Sequence, residues 1–315
     1  MSEVWGVAPE TLLLTSKGYE PISSLEKEDK VSIWNGYDFE ETAVVKMASD
    51  IPLLHIKTEN TLELFCSKDF TFILRDETKV TAENLTLDMK LASIPNCPIA
   101  EGGDKDFPFA YTHGFYSGSE RYWRDRLKVS RATIRGVRHG ILSYLALDHE
   151  KTTKTSLFFD ENIPANFEVP LDPEYSVDTK LDWLAGVFDS GLMKRKLDPH
   201  KIWILHSDNV DFLYQVKLLL QTLGVDSRHV SNVDHRFQHY SLRIRDKAIE
   251  VLIDLGLPTL SRNLTRSEFP YKNKTSIRST TPISIEDALR SSDIYNFTNK
   301  THKSAVFNGM FTATN

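Results

Sequence analysis

The strongest constraint on the fold is β-type texture at both ends of the chain, separated by a long helical middle. Between Thr11 and Leu91, short runs rich in β-branched and aromatic residues alternate with turns. They are Thr11–Thr15, a Lys17-Gly18 turn, Lys30–Trp34, an Asn35-Gly36 turn, Thr42–Lys46, Leu53–Lys57, Thr61–Phe65 and Thr71–Leu74. Asn-Gly between two such runs supplies the positive φ angles that a tight hairpin needs. β-like residues return at Ile294–Thr312, around a second such pair, Asn308-Gly309. A lone terminal hairpin is barely stable in water, so the last strands are expected to complete the module begun at the N-terminus.

The stretch Asn96–Pro108, with Pro98, Gly102, Gly103 and several acidic residues, reads as a linker. Beyond it the spacing changes. Phe109–Tyr116 and Leu181–Phe188 are aromatic and aliphatic with glycines at Gly114 and Gly186, and Phe212, Leu213, Val216, Leu219, Leu220 and Leu223 recur at helical spacing. Lys247–Leu255 reads as another helix, stopped by Gly256 and Pro258. Ser261–Thr281 is polar and basic without a clear period.

At 315 residues the chain can bury more than one core, and 40% hydrophobic with 26% charged residues is an ordinary globular composition. No apolar run is long enough to span a bilayer and no signal-like segment opens the chain. A cytoplasmic or nucleoid-associated protein without membrane contact is expected. Cys66 and Cys97 have no metal-ligand spacing. The net charge of -6 is unevenly spread: residues 1–100 hold 9 Lys and Arg against 17 Asp and Glu, residues 181–315 hold 18 against 14. The densest basic run comprises Arg121, Arg124, Arg126, Lys128, Arg131, Arg135 and Arg138, offset only by Asp125. Such a run is a solvated face or a phosphate-contacting strand, and the alternation of Arg124, Arg126 and Lys128 would place them on one strand face.

Four blocks carry a family resemblance. Gly6-Val-Ala-Pro-Glu-Thr-Leu, the hairpin phrase Val31-Ser-Ile-Trp-Asn-Gly-Tyr-Asp-Phe39, Leu64-Phe-Cys-Ser-Lys-Asp-Phe-Thr-Phe72, and Ile294–Phe297 with Phe307–Asn315 resemble, in order, the conserved segments of phage-type inteins. The resemblance implies a HINT-like β module with a nucleophile at the first intein residue, a Thr-x-x-His block, and a His-Asn end. This chain departs at each point. Gly6 stands at the nucleophile, Ser67 at the Thr and Phe70 at the His. Aligned from Asn308-Gly309, the final pair falls on Ala313 and Thr314; aligned from the end, Thr314 replaces His and Asn315 is the cyclising residue. Either alignment leaves the acid–base partner missing, so splicing is expected to be lost.

The middle resembles a single-chain, two-motif LAGLIDADG homing endonuclease. Leu184-Ala-Gly-Val-Phe-Asp-Ser-Gly-Leu192 matches the motif well, and Ala110-Tyr-Thr-His-Gly-Phe-Tyr-Ser-Gly-Ser-Glu120 is a fainter first copy. The resemblance implies two helices packed through glycines, each ending in an acid that holds Mg²⁺ for phosphodiester cleavage. Those acid positions fall on Ser119 and Gly191, with Glu120 and Asp189 as possible substitutes. It also implies strands forming a saddle on double-stranded DNA, which would use Arg121, Arg124, Arg126, Lys128, Arg131 and Arg135 after the first motif and Arg243 and Arg245 after the second.

The expectation is an α+β protein, a free-standing monomer in which a split HINT-like module (1–98 and 282–315) embraces a LAGLIDADG-like saddle domain (99–281). Splicing is absent, cleavage impaired and DNA binding retained; no metal or cofactor is expected unless nuclease activity survives with Mg²⁺. The competing expectations are a non-catalytic module that binds another protein, and an active site-specific endonuclease.

Overall fold

A computed structural model of the chain describes residues 5–119, 128–130, 139–154, 156–164, 168–190, 194–196, 202–227, 230–234, 239–260, 279–297 and 303–313. The chain divides into two compact units, Met1–Gly102 with Tyr271–Asn315, and Gly103–Pro270.

The first unit is built of strands from both ends of the sequence. In its six-stranded sheet, Ser304–Phe307 and Met310–Ala313 lie between Leu12–Leu14 and Thr71–Ile73, with Tyr19–Pro21 and Lys79–Thr81 outermost. Phe307 pairs with Met310 across a two-residue turn in which Asn308 (φ 48) and Gly309 (φ 76) both take left-handed backbone, as an Asn-Gly hairpin requires. Asn308 also ties the two ends together: its Oδ1 accepts from Leu12 N at 2.7 Å. Leu13, Leu14, Phe70, Phe72, Val306 and Phe307 are buried with no exposed surface.

A second sheet joins Pro282–Phe297 to Val44–Thr58 and Glu63–Cys66. Here the structure departs from the expected strands: Thr42–Lys46 and Leu53–Lys57 are not separate, because residues 44–58 form one 15-residue strand. Its middle, Lys46–Pro52, is largely exposed, so no apolar alternation announces it. Residues 282–293 extend the C-terminal strand for the same reason, with irregular pairing around the bulge at Leu289.

The second unit contains helices α1 (Ala110–Ser119), α2 (Val177–Asp189), α3 (Val210–Thr222) and α4 (Asp246–Asp254). Ser176 caps α2 by accepting from Thr179 N, and Asn209 caps α3 by accepting from Phe212 N. Gly256, at φ +90, ends α4. Strands Lys194–Lys196, Ile202–Ser207, His239–Arg245 and Val230–Asp234 form an antiparallel sheet in that order. One face, with Trp203, Leu205, Leu242 and Ile244, is buried in a core shared with α2, α3 and α4. Among the described residues no helix is long and apolar enough to cross a membrane.

Candidate functional site

The first site is a cradle around the Trp5–Gly6 peptide bond. Val7 bridges to both Tyr295 and Cys66, so the N-terminal segment lies between two strands of the second sheet. Within that frame the Gly6 N–H donates to Ser67 Oγ at 3.0 Å, while Ser67 N donates back to the Gly6 carbonyl at 3.0 Å. Asn296, fully buried, donates from Nδ2 to the Trp5 carbonyl oxygen at 3.3 Å. Its own Oδ1 accepts from Phe297 N, which fixes the amide's orientation. Both ends of one peptide group are thus gripped by side chains 61 and 291 residues away in sequence.

Gly6 itself brings no nucleophile to the cradle. A Cβ on Gly6 would lie 2.8 Å from the Tyr295 carbonyl oxygen and 3.2 Å from Ile294 Cβ, so backbone fills the space a cysteine or serine side chain would leave by. Ser67 Oγ cannot take over the attack. A hydroxyl that accepts from the peptide N–H lies near the peptide plane, whereas addition to a carbonyl comes from above that plane. The buried thiol of Cys66 is also unsuited, because burial pushes its pKa up and only a thiolate is nucleophilic. Phe70 is core: it has no exposed surface and meets Phe72 and Phe307 edge-on at 5.4 and 5.8 Å. Ala313 is buried in the last strand opposite Ser304, and Thr314 and Asn315 lie outside the described residues. Asn296 stands in a segment singled out from the sequence, yet nothing there marked it as the carbonyl's partner; only the 291-residue contact reveals that role.

The second site is the α1–α2 pair. A Cβ on Gly114 would lie 1.9 Å from the Trp183 carbonyl oxygen, and one on Gly186 would lie 2.0 Å from the Tyr111 carbonyl oxygen. Both glycines and both carbonyls are related by the same offset of 72 positions, so the contact repeats about an approximate two-fold axis. Gly118 meets Ser190 and Val187, which brings the C-terminal ends of the two helices together. Two cross-helix hydrogen bonds reinforce the packing. Tyr111 donates to Asp189 Oδ2 at 2.9 Å, and Trp183 Nε1 donates to His113 Nδ1 at 2.8 Å, leaving the His113 proton on Nε2. Burial and the Asp189 charge push the Tyr111 pKa up, which keeps it a donor.

At the helix ends Ser119 is buried and donates to the Phe115 carbonyl, so its hydroxyl is turned back on its own helix. Gly191 and Glu120 lie outside the described residues. Asp189, 1% exposed, has Oδ2 engaged by Tyr111 and by Leu260 N at 2.6 Å. No group of three or more His, Cys, Asp or Glu able to hold a metal occurs among the described residues.

On the sheet face away from the core, Arg243 and Arg245 alternate with buried Leu242 and Ile244 and pair with Ile204 and Ile202. Arg243 Nε is buried without a hydrogen-bond partner among the described residues. Lys128 lies in the strand Lys128–Ser130, paired with Phe158, and its side chain is not described. Arg121, Arg124, Arg126, Arg131 and Arg135 lie outside the described residues.

No protein-family model matches the chain. Over 97% of its length it is 25% identical to the ribonucleoside-diphosphate reductase large subunit of Invertebrate iridescent virus 6, of which it spans 35%. Similar solved structures include a variant of the Ssp DnaB mini-intein, at 8% identity and a TM-score of 0.38 over 100% of this chain and 96% of that one. Another is a bacterial intein-like domain from Clostridium thermocellum, at 24% identity and a TM-score of 0.25 over 30% of this chain and 70% of that one.

Proposed function

We propose that the chain is an intein-derived protein that keeps the peptide cradle of a splicing module, has lost splicing, and carries a LAGLIDADG-like region that binds double-stranded DNA. The observation that carries the first part is the Trp5–Gly6 peptide, gripped at N–H by Ser67 and at C=O by Asn296, with no side chain at Gly6 to attack it. The alignment to part of a viral reductase subunit supports descent from an element lodged in a host protein of that class.

The two-fold packing of α1 and α2 through Gly114 and Gly186 supports the DNA-binding part, since it supplies the pseudo-symmetric platform that two sheets need to straddle a duplex. The placement of Arg243 and Arg245 on one strand face, away from the core, supports contact with an anionic partner, because alternate residues of a strand present their charges together. Cleavage is not expected. Ser119 offers no charge, and Asp189 Oδ2 is already used by two donors. A non-catalytic protein-binding role has no specific observation in its favour.

Two experiments test the reading. Placed between foreign flanking sequences, the chain should yield no ligated product; any ligation overturns the account of the cradle. In a DNA titration over about 50 to 200 mM salt, affinity should fall by orders of magnitude. Replacing Arg243 and Arg245 by alanine should lower the salt slope by roughly 2. Affinity that ignores salt would transfer the saddle to a protein partner.

A further inference from the structure

Beyond their mutual contact, α1 and α2 anchor in different cores. Phe115 and Tyr116 of α1 pack with Ile141, Leu157 and Phe159, whereas Trp183, Leu184 and Phe188 of α2 pack with α3 and the four-stranded sheet. Besides the glycine contacts, hydrogen bonds cross the seam between the helices, and one of them ends on an imidazole, a group that titrates near neutrality. His113 and Trp183 are both buried with no exposed surface, and Phe107 packs edge-on against the imidazole at 5.0 Å. An indole N–H can only donate, so the 2.8 Å bond exists only while His113 Nδ1 carries no proton. Ser117 Oγ, one turn further along α1, stands 3.5 Å from the same nitrogen.

We propose that His113 is a proton-operated switch in this seam. With a neutral ring, Nδ1 accepts from Trp183 and ties α1 to α2. A proton on Nδ1 sets one N–H against another, so the bond across the seam is lost and the new N–H turns to Ser117 on its own helix. Acid thus moves a hydrogen bond from between the helices to within one of them. Opening takes up one proton from solvent, so the closed-to-open ratio falls by up to about tenfold per pH unit below about pH 6.5, the ordinary imidazole value, and is constant above it. The other titratable groups of the seam and its flanks are Tyr111 and Tyr116 on α1, Lys180, Asp182 and Asp189 on α2, Asp106 ahead of α1, and Asp172 and Tyr175 ahead of α2. From α3, the uncharged Phe212 packs against Trp183. Replacing His113 leaves all of these in place.

Nuclear magnetic resonance of the full chain, with ¹⁵N-labelled Trp and His, tests the switch without DNA. Protection of the Trp183 indole N–H, relative to a free indole at the same pH, should fall about 10-fold or more between pH 7.5 and pH 5. The midpoint should coincide with titration of the His113 ring. Amides in the middle of α3 should stay protected throughout. His113→Asn, whose Oδ1 takes the place of Nδ1 as acceptor and does not titrate, should keep the indole protected at both values. Unchanged protection at pH 5 in the unmodified protein overturns the switch, and so does an equal fall in His113→Asn, since another group would then carry it. Equal loss across α3 also overturns it, because the response would be acid unfolding of the whole unit. Should His113→Asn fail to fold, the midpoints in the unmodified protein decide: a ring that titrates apart from the indole change overturns the proposal.

Discussion

At the scale of single residues, the first site is defined by a missing atom. The Gly6 position has closed over, with Tyr295 backbone 2.8 Å from where Cβ would stand. Restoring a thiol therefore does more than supply a nucleophile. Gly6→Cys should destabilise the first unit by about 1–3 kcal/mol through overpacking against a backbone that cannot rotate away. It should also give no N-terminal cleavage with dithiothreitol; a wild-type melting temperature together with thiol-induced cleavage would show that the cradle still accommodates a side chain. Lys180 is the opposite case, a charge present where the fold would do better without one. It is 1% exposed on α2, and burial holds its pKa down to about 8 despite the nearby Asp172 carboxylate. Below pH 8 the ammonium is charged in both folded and unfolded states, so the full burial penalty is present. Between about pH 8 and 10.5 the folded state has shed a proton that the unfolded state keeps, so stability rises with pH across that window. Lys180→Met should stabilise the second unit at pH 7 by about 3 kcal/mol, with the advantage fading above the window. Denaturant titrations at pH 7 and pH 10.5 measure both; an equal gain at both values would mean that burial of the charge is not the cause.

At the scale of elements, legibility in the sequence followed burial. The α1 and α2 helices were readable because apolar residues and glycine recur at helical spacing, and the structure gives the reason for each glycine in a carbonyl about 2 Å from its absent Cβ. Gly186→Ala should cost at least about 3 kcal/mol, since the helices must separate or Tyr111 must move its backbone. Circular dichroism melts would measure this, and a loss under 1 kcal/mol would mean the helices slide freely. The long ribbon of Val44–Thr58 with Pro282–Phe297 was illegible in its middle. Its residues face water on both sides, and what orders them is mutual backbone pairing, which leaves no alternation to read. The cradle was half legible. Gly6, Ser67 and Phe70 stand out as departures from the residue types of the intein blocks they resemble, whereas the grip of Asn296 on Trp5 depends on chain ends meeting, which no local window contains. The α3 and α4 boundaries lie close to those expected, because apolar residues recur at helical spacing through α3 and Gly256 and Pro258 stop α4.

At the scale of the whole molecule, topology sets an order of events. The second unit is a continuous stretch of chain, whereas the first needs residue 12 to meet residue 308, a separation of 296 positions. Each doubling of a closed loop costs about 0.6 kcal/mol, so this closure costs about 3 kcal/mol more than one spanning ten residues, such as Thr71 with Thr81. The cost falls on strands that are central rather than peripheral, because Ser304–Phe307 and Met310–Ala313 separate Leu12–Leu14 from Thr71–Ile73 in the six-stranded sheet. Without them Leu13, Phe70 and Phe72 would lose the neighbours that bury them, so the N-terminal strands cannot settle early and wait. Folding of the continuous unit first also shortens the effective loop the ends must close. In pulse-labelled refolding, amides of α1, α2 and α3 should therefore gain protection before those of residues 304–313 and of Leu12–Leu14, which should appear together. Deleting residues 303–315 should leave the helical amides protected while the N-terminal strands stay open to exchange. Protection of Leu12–Leu14 in that truncated chain, or its appearance ahead of the helices in the intact one, would show that the first sheet does not depend on its distant strands.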